Sequence, residues 1–196
     1  MWGGAGRPGV GGFYPGDVAV DGTGTVYVTD VARDAVIRLD ASLNYLSEWP
    51  TDRSPTQIAI DPTGQYLYAT SAPYVYQYSV SGTLIRYWLT RLDPDSDVNW
   101  GIACGASGSV YVAMYRPHVV RVFTSDGTFL REWGGFGSGE GQLDSPLGLA
   151  VSPTESVYET DAQYRVQIFT GSGLSKGNGN SRNWGRAVPP ARRRGD

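Results

Sequence analysis

Four times along the chain, a short apolar run is followed, after a gap of Gly, Pro, Thr or Ser, by a core built around tyrosine. The pairs are Val18-Ala19-Val20-Asp21 with Val26-Tyr27-Val28, Ile58-Ala59-Ile60-Asp61 with Leu67-Tyr68-Ala69, Ile102-Ala103-Cys104-Gly105 with Val110-Tyr111-Val112, and Leu149-Ala150-Val151-Ser152 with Val157-Tyr158-Glu159. The first members begin at Val18, Ile58, Ile102 and Leu149, so the steps are 40, 44 and 47 residues. Short apolar runs bounded by turn residues are strands by pattern. A period of this length built of strands alone is that of propeller blades. The pattern therefore predicts an all-β chain of four-stranded blades, with about four blades present.

One repeat shows how a blade is made. Asp17 to Asp21 is strand a, and Gly22-Thr23-Gly24 is a turn in which glycine takes positive φ at little cost. Thr25 to Asp30 is strand b, Ala35 to Asp40 strand c and Asn44 to Trp49 strand d. Strand a is the most uniformly apolar, which puts it nearest the axis. Strand d is the most polar, which puts it at the rim. Arg38, Gln77, Arg121 and Gln167 each stand among apolar neighbours in strand c. The pattern places all four at one equivalent position, on a strand with one face against the next blade. A sheet this small is not stable alone, so its faces must stack on neighbouring blades.

Composition supports this reading and narrows the function. Charged residues are only 18% of the chain, while Gly 27 and Pro 12 favour short strands and tight turns over long helices. The net charge is −3, unevenly spread. From Arg182 onward there are five Arg and one Asp, so residues 1–181 carry 11 basic and 18 acidic residues, a balance of −7. An acidic body is a poor match for a phosphate backbone, so RNA is not the expected partner. No apolar run approaches the roughly 18 residues of a membrane span, so no membrane partner is expected. Met1-Trp2-Gly3-Gly4 lacks the basic and apolar regions of a signal peptide. Cys104 is the sole cysteine and lies in a strand, where it reads as a small buried residue.

Candidate chemistry is sparse. Asp21, Asp30, Asp61 and Asp161 recur at strand ends and are read as turn carboxylates that accept backbone N–H groups, in preference to calcium ligands. Asp93, Asp95 and Asp97 alternate like the opening of a calcium loop, without the glycine and glutamate that complete one, and read as a solvated acidic loop. His118 is the only histidine, too few for a usual catalytic zinc site. No nucleophile elbow, phosphate-cradling loop or paired cysteine motif is present. No catalytic residue, metal or cofactor is assigned. What remains is a surface. Connections from d to a and from b to c lie on one propeller face near the channel mouth. The candidate partner-binding residues placed on them are Arg33, Arg53, Gln57, Trp100, Tyr115, Arg116, Gln163 and Tyr164, with Tyr74 beside them. Arg, Trp and Tyr are the types enriched in binding hot spots.

Several stretches resemble the NHL repeat family. They are Gly127-Thr128-Phe129-Leu130-Arg131-Glu132-Trp133-Gly134, then Gly139-Glu140-Gly141-Gln142-Leu143-Asp144-Ser145-Pro146-Leu147-Gly148-Leu149-Ala150-Val151, then Thr160-Asp161-Ala162-Gln163-Tyr164-Arg165-Val166-Gln167-Ile168-Phe169. The second repeat departs most, with Ser71-Ala72-Pro73 where the family shows Asp and a polar loop. The resemblance spans 1–172, with blades at about 12–50, 51–90, 91–134 and 139–172. It implies a six-bladed ring and hence an incomplete propeller here. Met1-Trp2-Gly3-Gly4 looks like the end of a preceding blade, and both ends break in mid-blade, which favours a piece of a longer propeller. A closed four-bladed ring and an open arc that self-associates through its terminal blades are the other readings. Gly171 to Asn180 is flexible by composition, Ser181 to Gly185 echoes a degenerate last strand, and 173–196 as a whole reads as that strand with a disordered basic tail. The resemblance implies a non-enzymatic scaffold for a protein or peptide. The alternatives are RNA binding, as in tripartite-motif propellers, and a metal-dependent lyase or lactonase-like propeller. The histidines on which the family's peptidyl-hydroxyglycine lyases depend are missing.

Overall fold

The computed structural model describes residues 12–90 and 98–180. These residues are all β, with no helix among them, in four separate four-stranded sheets. Blade 1 is β1 (Pro15–Val20), β2 (Val26–Asp30), β3 (Ala35–Leu39) and β4 (Tyr45–Pro50). Blade 2 is β5 (Gln57–Ile60), β6 (Tyr66–Ser71), β7 (Tyr74–Ser79) and β8 (Leu84–Leu89). Blade 3 is β9 (Val98–Cys104), β10 (Val110–Arg116), β11 (Val119–Phe123) and β12 (Phe129–Gly134). Blade 4 is β13 (Gly148–Val151), β14 (Ser156–Asp161), β15 (Arg165–Thr170) and β16 (Ser175–Asn180). Within each sheet the strands pair antiparallel in chain order. The first strands touch in sequence, β1 to β5 to β9 to β13, which makes them the axial strands of a propeller.

The apolar mass lies between blades. One cluster joins Tyr27, Val36 and Trp49 of blade 1 to Ile58, Leu67, Tyr76 and Tyr78 of blade 2. A second joins Tyr68 and Val75 to Ile102, Val110, Val112, Met114 and Phe123. A third joins Tyr111, Val120 and Val122 to Val157 and Phe169, with Leu143 between. Each junction has the same lock. Trp49, Trp88 and Trp133 pair with Val36, Val75 and Val120 of the adjacent strand. Each indole lies edge-to-face with the strand-b tyrosine of its own blade, Tyr27, Tyr68 or Tyr111. It then covers a glycine in the c–d turn of the next blade. A methyl placed on Gly82, Gly127 or Gly173 would lie 2.6, 2.6 or 2.7 Å from the ring. Those glycines have φ of 94°, 89° and 91°, a region that side chains rarely enter. The turn therefore needs glycine twice, for its backbone and for the ring above it.

Two sequence expectations are corrected. Gly171 to Asn180 is not free chain: Ser175–Asn180 pairs with β15 from Phe169↔Ser175 to Arg165↔Asn180. An outermost strand needs a backbone ladder on one side only, so a stretch of Gly, Ser and Asn can supply it. Ser181 to Gly185 and the basic tail lie outside the described residues, as do Met1 to Gly4 and the Asp93 to Asp97 loop. Second, the four polar residues of strand c do not share a position. Arg38 and Gln77 stand two residues beyond the tryptophan partners Val36 and Val75, on the same face. Arg121 and Gln167 stand one residue beyond Val120 and Val166, on the opposite face. Val18 and Val20 of the axial strand β1 are 56% and 55% exposed, on the face of blade 1 turned away from blade 2, whereas Ile58 of β5 and Ile102 of β9 are buried between blades.

Glu159 departs from the apolar pattern. It occupies, in β14, the place of Val112 in β10, and it is fully buried against the third cluster with neither carboxylate oxygen hydrogen-bonded. Burial first, and the Asp161 carboxylate second, push its pKa up to about 8, opposed by the Arg165 guanidinium. The folded protein thus keeps a proton that the unfolded chain releases near 4.5. This part of the stability is present at acidic pH and is lost as pH rises from 4.5 to about 8.

Two outcomes are expected. Gly127→Ala, under the Trp88 ring, should cost several times more in urea denaturation than Gly64→Ala, which has φ of 70° and open space beside it. The Gly64 change carries only the left-handed penalty of roughly 1–2 kcal/mol. Glu159→Gln should flatten the decline in stability between pH 5 and 8 and stabilise the protein at pH 8 by on the order of 2–4 kcal/mol, read from denaturation midpoints across pH.

Candidate interaction surface

The d–a and b–c connections meet on one face, and polar groups hold them there. In blade 1, Asp30 accepts the backbone N–H groups of Tyr14 and Ala32 (3.2 Å each). Asp34 accepts the Ser54 hydroxyl (2.7 Å), and its carbonyl accepts Thr51 N–H (2.7 Å). In blade 2, Pro73 O accepts both the N–H and the hydroxyl of Thr90 (2.9 Å each). Between blades 3 and 4, Arg165 anchors the long glycine-rich connection. It is 7% exposed and pairs with Asp161 (2.9 Å). Its remaining N–H groups donate to the carbonyls of Gly137, Ser138, Gly139 and Gln142 (2.6–3.2 Å). A planar five-donor fork suits such a ring of carbonyls.

The recurring aspartates are structural. Asp21 accepts N–H from Thr23 and Thr25 and hydroxyls from Thr23 and Tyr27. Slight burial opposes ionisation, but these hydrogen bonds prevail and hold its carboxyl down to about 2. Asp61 receives the N–H groups of Thr63, Gln65 and Tyr66 in the same way. Among the described residues, no three His, Cys, Asp or Glu side chains gather as metal ligands would. Burial pushes the Cys104 thiol pKa up, which keeps it neutral.

The candidate residues fall into three groups. Arg33, Arg53 and Gln163 are engaged within the fold. Arg33 donates to Glu48 (2.7 Å) and lies 3.6 Å from Asp30. Arg53 lies over the Tyr74 ring at 5.6 Å, and Gln163 donates to Asp144 (2.6 Å). Arg116 and Tyr164 are exposed, Tyr164 by 83% with φ of 56°. Gln57, Trp100 and Tyr115 come together at the mouth of the axis. A recess of about 340 Å³ opens there between blades 1, 2 and 3, with Tyr14, Val31, Gln57, Ala72, Asn99 and Trp100 on its walls. Trp100 is 47% exposed, and its ring lies 5.9 Å from that of Tyr115. Gly16 makes the close approach of blades possible, since a methyl on it would lie 2.6 Å from Thr56 O.

Loops do not carry all of these residues. Gln57 and Tyr74 begin strands, Tyr115 and Arg116 end β10, and Trp100 is inside β9, which starts four residues before the repeat pattern places it. The register of β9 against β10 shifts between Ile102 and Asn99, and this irregularity lengthens the strand beyond its apolar core. Sequence reasoning missed Asn99, Tyr14 and Phe136. Phe136 is 69% exposed and packs on the His118 ring at 4.9 Å. An aromatic between Gly134-Gly135 and Gly137, with nothing apolar near it in sequence, was the available signal. His118 Nδ1 accepts Ser145 N–H (2.9 Å).

The blades and their order define a β-propeller, and solved structures share that fold. They include a streptogramin B lyase (TM-score 0.69, 17% identity, 85% of this chain and 54% of that one) and the WD40 repeats of RRP9 (0.65, 14%, 87% and 54%). A catalytically inactive virginiamycin B lyase from Staphylococcus aureus with quinupristin is also similar (0.71, 16%, 95% and 60%). No family model matches the chain. A segment of 60 residues is 47% identical to the RING finger protein nhl-1 of Caenorhabditis elegans, which is consistent with repeats of NHL type. That segment is 30% of this chain and 6% of nhl-1, and the chain spans about half the length of the solved structures.

Arg165→Lys should leave the sheets folded but free the connection it anchors. Amide hydrogen exchange is expected to rise at residues 137–142 while blades 1 and 2 keep wild-type protection. Unchanged protection at 137–142 would show that the loop holds itself.

Proposed function

We propose that this propeller is a non-enzymatic scaffold that binds a protein or peptide segment on the face built by the b–c and d–a connections. The observation that carries this reading is the axial recess, where Trp100 is exposed yet braced by Tyr115 and flanked by Gln57. An aromatic ring held in place by another ring is ordered before a partner arrives, so little conformational entropy is lost on binding. Arg116, Phe136 and Tyr164 extend the surface outward. Arg33, Arg53 and Gln163 are held by neighbouring side chains, Glu48, Tyr74 and Asp144. The lyase structures resemble this chain at 16–17% identity, which is a likeness of fold and carries no activity across. The net negative charge of the body disfavours RNA as the partner.

Peptides selected against the folded protein from a display library provide the test. Trp100→Ala and Tyr115→Ala should each weaken their binding about tenfold or more, in the hot-spot range. Ile85→Ala, at the rim on β8 and 43% exposed, should not. Matching thermal midpoints would show that all three variants are folded. Binding that survives both aromatic substitutions would remove this face as the interaction surface.

A further inference from the structure

One hydrogen bond at the junction of blades 3 and 4 depends on the charge of a side chain. His118 Nδ1 accepts the backbone N–H of Ser145 (2.9 Å). A backbone N–H can only donate, so Nδ1 must keep its lone pair and the neutral ring carries its proton on Nε2. The Asp144 carboxylate lies 3.9 Å from the same nitrogen, too far for a hydrogen bond. Its oxygens are engaged elsewhere: Oδ1 accepts the Ser145 hydroxyl (3.1 Å) and Oδ2 the Gln163 amide (2.6 Å). Phe136, itself exposed, rests on the imidazole. The backbone of His118 is fixed, since its N–H donates to Met114 O (3.2 Å) and its carbonyl accepts Gly135 N–H (2.8 Å). The ring thus stands between a backbone donor and a carboxylate, and only its protonation state decides which of the two it can hold.

We propose that His118 is an acid-sensitive latch on the d–a connection between blades 3 and 4, holding Ser145 when neutral and Asp144 when protonated. The inference concerns the joint itself and holds whatever the face binds. The side chain is 23% exposed, so solvent can deliver a proton to Nδ1. The imidazolium has two donors and no acceptor, and the bond from Ser145 is lost. A small turn of the ring then brings Nδ1–H onto Asp144 Oδ1, in place of the Ser145 hydroxyl. Ser145 is 9% exposed with φ of 53°, so its freed N–H must turn toward water to be satisfied. Pro146, next in the chain, has no N–H to hold the segment. The movement is bounded, because Asp144 N–H stays on Asp161 (3.1 Å) and Leu147 N–H on Thr160 O (2.8 Å). It reaches the surface through Phe136 on the ring and Gln163 on Asp144.

The charged groups about the ring are few. Asp144 faces it, Arg165 and Asp161 stand behind Asp144, and the exposed Arg116 precedes His118 by two residues. The hydrogen bond from Gln163 is the main cause that holds the Asp144 carboxyl below the usual carboxylate range, so it remains an anion for the imidazolium. Glu159 lies in the same junction but acts with the opposite sign: it loses its proton as pH rises to about 8, whereas the latch opens as pH falls.

The test is amide NMR of the whole chain from about pH 8 down to about pH 5, the span in which histidines titrate. At the upper end the ring should be the Nε2–H tautomer. The Ser145 amide should titrate together with the ring, and its protection from exchange should fall about tenfold, the scale of one hydrogen bond. His118→Asn keeps an acceptor that cannot take up a proton, and asparagine tolerates the backbone here, with φ of 68°. Its Ser145 amide should be indifferent to pH over this range. An Nδ1–H tautomer at the upper end, a Ser145 amide that ignores the titration of the ring, or an unchanged response in His118→Asn would each overturn the latch. If the variant does not fold, the tautomer and the Ser145 titration of the wild-type protein decide alone.

Discussion

The architecture depends on one contact made three times: an indole from strand d of one blade laid on a bare backbone turn of the next. Trp49, Trp88 and Trp133 reach Gly82, Gly127 and Gly173, each a left-handed glycine between strands c and d. The contact sets blade spacing because neither partner has slack. The ring is held from behind by a tyrosine of its own sheet, and the turn approaches it without a side chain between. The arrangement also has a cost. The indole N–H of all three tryptophans is buried without a hydrogen-bond partner. Buried indoles usually find one. Here the apolar area covered and the edge-to-face contact offset the unpaired donor, and a polar group able to meet it would have pushed the blades apart.

Much of this was legible in the amino-acid sequence because the contact is local in pattern. Tryptophan ending strand d, a glycine four residues after the last aromatic or aliphatic residue of strand c, and tyrosine central in strand b recur at blade spacing. What escaped the sequence depends on register. Arg38 and Arg121 look alike in one dimension, yet a one-residue offset against the tryptophan partner sends them to opposite faces. The outer strand Ser175–Asn180 escaped for another reason. It has almost no side-chain signature, being held by main-chain hydrogen bonds to β15. The binding surface was half legible. Trp100, Tyr115 and Gln57 were marked by residue type and position. Asn99 and Phe136 became visible only in the fold, Asn99 on the wall of the recess and Phe136 on the His118 ring.

The same physics explains why the surface is rigid although it is built partly of connections. The buried acids Asp30 and Asp161 and the buried Arg165 tie backbone groups of these segments to the sheets. Charge-assisted hydrogen bonds to main-chain groups are stronger than neutral ones and leave little freedom. Arg165 uses its guanidinium wholly for this purpose, and Asp161 and Asp144 extend the network to Gln163. The aromatic residues can then face solvent, since their neighbours are fixed by polar contacts and need no apolar cover.

The outward faces of the first and fourth blades differ from the three junctions between. In blade 1 the turn position held elsewhere by glycine is Leu43, with φ of 64° and a side chain 51% exposed. In blade 4 the strand-d position held elsewhere by tryptophan is Gly179, paired with Val166. A tryptophan seated as at the internal junctions would collide with the Leu43 side chain, and Gly179 offers no ring to a following turn. Large and small have changed sides, and a leucine with a glycine fills less space than a tryptophan with a glycine, so neither volume nor shape matches the internal junctions. Any body that covers Val18 and Val20 on one side, or Tyr158 on the other, must therefore pack by a geometry that the three described junctions do not use. Among the described residues, the locking tryptophans and glycines join the four blades to one another, and the two outward faces carry a different pair of residues at the same positions.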